Sequence, residues 1–424
     1  MARGTPTAYN APKRLRGCPM QVRAITAFVP GRFPVDAAAL EPVTAFLQAA
    51  RQAYMQAGYA VQSLRLATTP FPTYLPSPGQ TAELAEGLSA AVRPAGVEYA
   101  AIGPVRLADD PAFIDALAGP LAARRVFASV EIADREGHLS LSACRRAARL
   151  IREVADRSGD GFGNLFLSAL ANVPPETPFF PSSYAAGPQP RFALAIESAD
   201  MAVEACRNAA TAEQAAERLR TALERAGADL AAIADRLAGE HGVGFAGLDF
   251  SLAPYPEVGR SLGTAFELLG GPAGAEGAVA AAALIADAID RARFPRAGFS
   301  GLMVSLLEDR TLAARAAGGA LTVHDLLLMS AVCGTGLDAV PLPGDASVEA
   351  LAGVLADVGA LALRAGKPLT ARLMPLPGKG AGDPVEFDFP YFAPSRVLAL
   401  KEGPSRGPLA GEGIISLRRY GRGG

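Results

Sequence analysis

Short apolar runs alternate along most of the chain with longer segments in which apolar residues recur every three or four positions. The short runs predict buried strands and the periodic segments predict amphipathic helices. Their alternation is typical of a mainly parallel sheet covered by helices, so we predict an α/β fold. The predicted strands cover residues 21–29, 61–67, 99–102, 126–131, 164–170, 191–196, 245–252, 299–305, 339–342 and 370–374.

Two helices have clear boundary signals. Residues 347–364 form one apolar stripe, and Gly366 followed by Pro368 predicts where that helix stops. Thr211 and Gln214 have capping-box spacing ahead of a second periodic segment. Gly227 interrupts this segment, which therefore predicts either one long helix or a pair.

Composition and charge narrow the class of protein. Half of the 424 residues are hydrophobic, which is ample for a large core in one domain or two closely packed ones. Lys and Arg number 40 against 42 Asp and Glu, a near balance that argues against nucleic acid or an anionic membrane as the main partner. No apolar run reaches the ~18 residues of a membrane span. Small molecules or proteins are the expected partners.

The cysteines indicate a reducing compartment. Cys18, Cys144, Cys206 and Cys333 are far apart and form no Cys-x-x-Cys pair, so neither a zinc site nor a disulfide framework is predicted. Reduced thiols fit a cytoplasmic protein. A basic tail at residues 1–20 and a Gly- and Arg-rich tail at residues 403–424 flank the folded part, and the second is expected to be exposed or to dock a partner.

Cys333 is the first candidate for chemistry, because it lies in a glycine-rich turn after a helical apolar run. Glycines allow sharp turns and close backbone approach to a ligand, which can present a thiol. The alternative is structural, since unpaired cysteines often pack as small hydrophobic residues. No other common motif is met: Lys379 lacks the spacing of a phosphate loop, and Ser300 lacks that of a nucleophile elbow.

Charged residues inside apolar strands are the next signal. Arg65 and Arg372 interrupt two such strands, and a buried guanidinium is costly unless an anionic or carbonyl group pairs with it. Either arginine could instead point outward. Asp249 is near the end of a strand, where site residues are common in α/β folds; alternatively it caps a turn or pairs with a buried arginine. Glu308 and Asp309 follow another strand or start the next helix.

Several ordered blocks resemble the DUF711 family, also called UPF0210. They comprise Arg65, Thr69 and Pro70; Ala171, Asn172, Pro178 and Phe179; Gly242 and Val243; residues 248–254 with Pro256, Val258, Gly259 and Ser261; residues 298–301; Glu308 and Asp309; Val332 and Cys333 with residues 336–338; and Arg372, Pro375, Gly378 and Lys379.

The resemblance implies a ten-stranded α/β barrel of the pyruvate formate-lyase type, with helices outside, as one domain over residues 21–402 and as a homodimer. It implies no established activity. Glycyl-radical relatives of that barrel use a cysteine on a central loop, a place that Cys333 could occupy. Their C-terminal radical motif is absent here, so radical chemistry is not expected. This chain departs from the family pattern at Ala185 and Glu197, which marks a divergent member.

Our leading hypothesis is a radical-free cytoplasmic enzyme that acts on a small anionic metabolite inside the barrel. Arg65 and Arg372 would bind the anion, and Asn172 and Ser300 would orient it. Cys333 would be the nucleophile or proton donor, with Asp249 as acid or base. The sequence predicts no metal site and leaves the cofactor open. The alternatives are a non-catalytic metabolite-binding or regulatory protein, and a scaffold whose C-terminal tail docks a partner.

Overall fold

The computed structural model describes residues 20–421, which alternate between strands and helices as predicted. Its strands are β1 (Gln21–Val29), β2 (Leu64–Thr68), β3 (Tyr99–Val105), β4 (Phe127–Ala133), β5 (His138–Ser140), β6 (Leu167–Ala171), β7 (Arg191–Glu197), β8 (Gly244–Ala253), β9 (Gly336–Pro343), β10 (Leu369–Leu376), β11 (Pro384–Val385), β12 (Ser395–Arg396) and β13 (Ile414–Ser416). The α/β class is confirmed. The basic tail, including Cys18, lies outside the described residues except for Met20.

The helices pack against the strands. They are α1 (Ala37–Gln56), α2 (Thr81–Val92), α3 (Ala112–Asp115), α4 (Ala118–Ala122), α5 (Leu141–Ser158), α6 (Ala199–Cys206), α7 (Ala212–His241), α8 (Leu262–Leu268), α9 (Ala278–Arg291), α10 (Arg310–Ala317), α11 (Val323–Ser330) and α12 (Val348–Ala365). Every residue of β1, β2, β6 and β10 is buried, so both faces of these strands are covered.

The predicted helix boundaries hold. Ser347 caps α12, and Gly366 ends it in the left-handed region that glycine tolerates. Thr211 caps α7, which continues through Gly227 as a single helix. A Cβ atom at Gly227 would lie 2.7 Å from the Cβ atom of Phe294. This glycine therefore allows close packing against Phe294, and it does not end the helix.

The main sheet is mostly parallel and has eleven strands. Nine of them form the path β8-β7-β1-β2-β3-β4-β6-β10-β9, while β5 pairs with β4 and β13 pairs with β5. The pairs β1–β7 and β6–β10 are antiparallel. Because β13 belongs to the segment at residues 403–424, part of the predicted C-terminal tail is paired with its own chain.

Residues 299–305 were predicted as a strand, and this prediction is wrong. Gly298 and Ser300 both adopt positive φ angles, 61° and 39°, which are incompatible with an extended strand. The segment nevertheless bonds to both end strands of the path: Met303 N–H donates to the β8 carbonyl of Ser251 at 2.7 Å, and Leu306 N–H donates to the β9 carbonyl of Asp338 at 3.0 Å. An irregular connection thus lies between β8 and β9.

The sheet is strongly curved. Arg23 on β1 and Arg372 on β10 both form ion pairs with Glu308, although they are five strands apart along the path. At ~4.8 Å per strand, a flat sheet would separate them by about 24 Å, too far for one carboxylate to contact both. The ten-stranded closed barrel remains a prediction, as does the division into one domain with two tails.

Candidate functional site

A cavity of about 180 Å³ lies on the concave side of the curved sheet. Neighbouring strands supply its wall: β1 and β2 supply Arg23 and Arg65, β6 supplies Ser168, and β9 and β10 supply Asp338 and Arg372. Side chains alternate between the faces of a strand, so each of these strands directs a polar residue inward within an otherwise apolar run. The curvature therefore brings distant polar residues to one place.

An ion-pair network lines one side of this cavity. The guanidinium of Arg23 donates to Glu308 Oε2 at 2.5 Å, and Arg372 Nη2 donates to Glu308 Oε1 at 3.0 Å. Arg372 Nε also donates to Asp338 Oδ1 at 2.5 Å. Each of these four residues is at most 8% exposed, so solvent screens the pairs poorly. Arg23, Glu308, Arg372 and Asp338 are hereafter the ionic cluster.

A β-bulge directs Asp338 toward Arg372. The register of β9 and β10 shifts so that Asp338 and Ala339 together oppose Arg372, and Ala339 adopts a φ of 47°. A bulge places two residues opposite one and changes the direction of a side chain, a device common beside functional sites. The positive φ of a residue with a side chain is strained. This strain accompanies the placement of a carboxylate in the cavity wall.

Electrostatics keeps the arginines of the cluster charged. Burial by itself lowers the pKa of Arg372, but Asp338 and Glu308 outweigh this effect, so the pKa is raised. Burial also lowers the pKa of Arg23, but Glu308, Tyr391 and Asp338 together outweigh this effect, so the pKa is raised. Beyond the cavity wall, Glu197 pairs with Arg260 and approaches Arg23 at 3.7 Å. One departure from the family pattern thus adds a carboxylate next to the cluster.

Arg65 faces the same cavity above an aromatic wall. Its Nε donates to Ser63 Oγ at 3.0 Å, and its guanidinium carbon lies 5.2 Å from the ring centre of Phe180 and 5.7 Å from that of Tyr99. Distances of this size are typical of cation–π contacts. Phe180 belongs to the proline-rich loop at residues 174–190, which supplies four residues of the cavity wall. Of the two orientations that the sequence left open for Arg65 and Arg372, the structure therefore shows the inward one.

Asp249 and Ser300 are together, but they hold a turn and do not line this cavity. Asp249 accepts hydrogen bonds from Ser251 Oγ at 2.5 Å, Phe299 N–H at 2.8 Å and Ser300 N–H at 2.9 Å. The Ser300 hydroxyl donates to backbone carbonyls. Burial raises the pKa of Asp249 to about 6, although these hydrogen bonds lower it. The turn that they hold carries Phe299, whose ring lines the cavity.

Cys333 is 1% exposed and is not part of the cavity wall. Its turn packs closely on the turn at residues 298–301: a Cβ atom at Gly301 would lie 2.4 Å from Gly334 Cα. The Thr335 hydroxyl donates to the Leu302 carbonyl at 2.8 Å, and Thr335 itself lines the cavity. The glycine-rich turn thus approaches the cavity, with the thiol packed in the apolar core.

Asn172 is separate from the other predicted site residues. It follows β6 in the left-handed region, with a φ of 57°, and its N–H donates to the Ala133 carbonyl at 2.9 Å. Asparagine tolerates this conformation better than most residues do. The structure therefore brings together Arg65 and Arg372, places Asp249 with Ser300 behind the Phe299 turn, and leaves Asn172 outside both groups.

Three residues of the site had weaker sequence signals. Arg23 interrupts the apolar run of β1 just as Arg65 interrupts β2, so the same burial argument could have found it. The position of Glu308 and Asp309 suggested two roles, one as residues that follow a strand and one at the start of the next helix, and each residue takes a different role. Asp309 caps α10 and also accepts from Ser261 and Leu262 at the start of α8, whereas Glu308 enters the ionic cluster. Asp338 was distinguished only as part of a family block.

Comparison with known proteins identifies the family. A family model described as "Uncharacterised ACR (DUF711)" matches residues 15–393. The chain belongs to the DUF711 family. A UPF0210 protein of Pyrobaculum islandicum is 30% identical over 395 residues, which cover 88% of this chain and 86% of the relative. UPF0210 protein MK1214 of Methanopyrus kandleri is 33% identical over 318 residues, 72% of this chain and 70% of the relative.

A UPF0210 protein of Pyrobaculum arsenaticum is 34% identical over 282 residues, which span 64% of this chain and only 62% of the relative. Among residues 20–421 of this DUF711 member, no helix has both the length and the apolar character needed to cross a bilayer. The same residues contain no group of three or more His, Cys, Asp or Glu side chains placed to hold a metal ion.

Proposed function

We propose that this DUF711 member binds a small anionic metabolite in the cavity beside the ionic cluster and acts on it as a radical-free enzyme. The charge of the cavity wall is the observation that carries this proposal. Among the described residues, three arginines and two carboxylates line the cavity, and arginine side chains that reach a cavity can donate to anionic oxygens there.

Arg65 and Arg372 are the proposed anion-binding residues, with Arg23 as a third. Guanidinium groups suit this role because their planar donors match carboxylate and phosphate oxygens. Glu308 and Asp338 lie in the same wall and could transfer a proton to or from a bound substrate. The catalytic roles of Cys333 and Asp249 remain predictions, and Cys333→Ser tests the first of them once a turnover assay exists.

The barrel is part of this proposal. The concave sheet and the hydrogen bonds from the segment at residues 295–306 to both β8 and β9 support a closed arrangement, in which that segment replaces a tenth strand. A homodimer and a cytoplasmic location belong to the proposal too. Light scattering of the purified protein tests the dimer. The cysteines at positions 144, 206 and 333 are unpaired thiols, as in reducing compartments.

A non-catalytic metabolite-binding protein is the second candidate, and one observation favours it. Both carboxylates of the cavity wall are already paired with arginines, which limits their freedom to exchange protons with a ligand. A ligand that binds tightly and remains unchanged over hours, followed by NMR of the ligand itself, would support this candidate. Product formation would exclude it.

A thermal-shift screen against carboxylates and phosphate esters tests the binding proposal. A ligand at a hundredfold its dissociation constant adds about 2.7 kcal/mol of stability, which raises the melting temperature measurably. We expect anions to stabilise the wild type and Arg65→Gln to lose this effect. Arg51→Gln is the matched control, since Arg51 pairs with Glu98 away from the cavity. No stabilisation by any anion would contradict the proposal.

A further inference from the structure

We infer that Ser168 and Arg372 together form the contact for the anionic oxygens of the ligand, which makes Ser168 a specificity-determining residue of the cavity. This inference deepens the function proposed above and rests on it. Ser168 lines the cavity, and its side chain is 1% exposed. Its hydroxyl has no hydrogen-bond partner among the described residues.

The strand register places Ser168 beside Arg372. The paired residues of the antiparallel strands β6 and β10 end with Ala169 opposite Ala371. The next residues along the two strands are Ser168 and Arg372. Opposite residues of an antiparallel pair direct their side chains to the same face of the sheet, with Cβ atoms about 5 Å apart. Both side chains line the cavity, in agreement with this register.

Arg372 has donors for a ligand in addition to those that hold the ionic cluster. A guanidinium carries five N–H groups. Within the described part of the chain, Nε donates to Asp338, Nη2 donates to Glu308, and Nη1 contacts the Leu165 carbonyl at 3.5 Å. These bonds use three N–H groups and leave two. A carboxylate or phosphate group that accepts from Arg372 and from the Ser168 hydroxyl would form charge-assisted hydrogen bonds with both.

A second buried serine provides a comparison within the same sheet. Ser129 on β4 pairs with Ser168 across the parallel strands β4 and β6. Its side chain is fully buried, and its hydroxyl also has no hydrogen-bond partner among the described residues. Ser129 is not part of the cavity wall. The two serines therefore share burial and lack of a partner, and they differ in access to a ligand.

The unpartnered hydroxyl of Ser168 has a cost in the free protein. A buried hydroxyl without a partner loses its hydrogen bonds to water and gains none in exchange. Departures of this kind are expected at functional sites, where a ligand supplies the missing partner. Removing the hydroxyl should therefore stabilise the free protein and weaken ligand binding. A serine with a purely structural role would not combine these two effects.

Aromatic anions are suitable probes, because Phe127 and Phe166 lie two residues before Ser129 and Ser168 on the same strands. Their rings line the cavity with centres 4.4 Å apart, so a ring on the probe can contact them. Benzoate and phenyl phosphate share that ring and carry different anionic groups. Calorimetric titration with both probes measures binding to the wild type and to each serine variant.

We expect Ser168→Ala to weaken binding by about tenfold, a factor typical of a hydrogen bond to a charged group. A loss for benzoate alone would support the inference with a carboxylate as the bound group, and a loss for phenyl phosphate alone would support it with a phosphate. Ser129→Ala is the matched control and should leave binding unchanged. Thermal denaturation without ligand should show both variants melting at or above the wild-type temperature.

A lower melting temperature for Ser168→Ala would show that its hydroxyl has a partner in the free protein, and would overturn the inference. Unchanged affinity in Ser168→Ala, or equal losses in both serine variants, would also overturn it. If Arg65→Gln weakens binding in the same titrations, the anion-binding proposal survives that result. Failure of both probes to bind the wild type would overturn the inference and the proposed function together.

Discussion

The ionic cluster and the Asp249 turn both bury charged side chains beside the cavity, and they stabilise those charges differently. In the cluster, Glu308 lies between two guanidinium groups. Asp249 has no ion pair among the described contacts and accepts three hydrogen bonds from neutral donors. Opposite charges keep the cluster ionised, as the raised pKa of Arg372 shows. Neutral donors compensate Asp249 less well, and its pKa rises to about 6.

Because their charges are stabilised differently, the ionic cluster and the Asp249 turn are suited to different roles, ligand binding for the cluster and support of the cavity wall for the turn. A network of permanent charges that faces a cavity can attract and orient an anionic ligand. A carboxylate surrounded by backbone N–H groups has its lone pairs occupied, and it determines the conformation of the turn that carries Phe299. The cluster is thus the proposed binding surface, and the Asp249 turn positions a part of the wall.

Among the substitutions considered, neutralising Glu308 should lower the free energy of unfolding the most. Glu308→Gln retains the shape of the side chain but leaves the buried charges of Arg23 and Arg372 poorly compensated. Breaking one partner of a buried ion pair typically costs about 3–5 kcal/mol of unfolding free energy. Urea denaturation monitored by circular dichroism measures this loss. A change below about 1 kcal/mol would mean that the cluster is hydrated and that its charges are screened.

Gly301→Ala should cause the next largest loss of unfolding free energy, because it forces apart the turn at residues 298–301 and the turn that contains Gly334. The new Cβ atom would lie 2.4 Å from Gly334 Cα, a contact with backbone that no side-chain rotation relieves. Overpacking of this kind costs about 2–3 kcal/mol. The same denaturation measurement applies. Gly259→Ala is the matched control, since nothing lies within 4 Å of a Cβ atom there, and equal losses in both variants would refute the close-packing explanation.

The contribution of Asp249 should depend on pH. Its folded pKa of about 6 lies above the ordinary value of 3.8, so the folded state binds the proton more tightly than the unfolded state does. This contribution to stability is complete below pH 4 and is lost as the pH rises through 6. We expect the unfolding free energy of the wild type, minus that of Asp249→Asn, to fall by about 2 kcal/mol between pH 4 and pH 7.

Denaturation curves of both proteins at several pH values measure this difference. Because the variant lacks the titrating group, other groups cancel in the subtraction. A difference that rises with pH would show instead that the three hydrogen bonds prevail over burial, and that Asp249 has a depressed pKa in the folded protein.

Neutralising a surface carboxylate should cause the smallest loss of unfolding free energy. Glu153 pairs with Arg157 one turn along α5, and both side chains are about half exposed. Glu153→Gln should cost less than about 1 kcal/mol, since exposed ion pairs contribute little. It makes the same chemical change as Glu308→Gln, so equal losses in the two variants would remove the distinction between the buried cluster and an ordinary surface pair.

Residues inside regular elements were easier to predict than residues between them. Nine of the ten predicted strands overlap strands of the structure, because an apolar run between turn residues needs only local information. The one remaining prediction, a strand at residues 299–305, is wrong because the backbone there bends to bond with β8 and β9 in place of regular pairing. The short strand β13 was also missed, since its pairing with β5 joins residues far apart in the chain.

The residues of the candidate site show the same contrast between features that depend on local sequence and features that depend on tertiary structure. Arg65 and Arg372 were predictable because the cost of burying a guanidinium follows from one strand alone. The pairing of Arg372 and Arg23 with the same Glu308 was not predictable, because it depends on how far the sheet curves between β1 and β10. Cys333 shows the opposite case: a glycine-rich turn can present a thiol, but Gly334 of this turn packs on Gly301 and Cys333 is only 1% exposed.

The α/β class, most helix and strand positions, and the need of buried charges for partners could all be predicted from the amino-acid sequence. Periodicity, capping residues and the cost of burying charge act over a few residues, so they can be read along the chain. Tertiary structure alone decided which charges meet, which side of the Asp249 turn faces the cavity, and how large that cavity is. Those properties depend on sheet curvature and on packing between segments distant in sequence, which no local pattern contains.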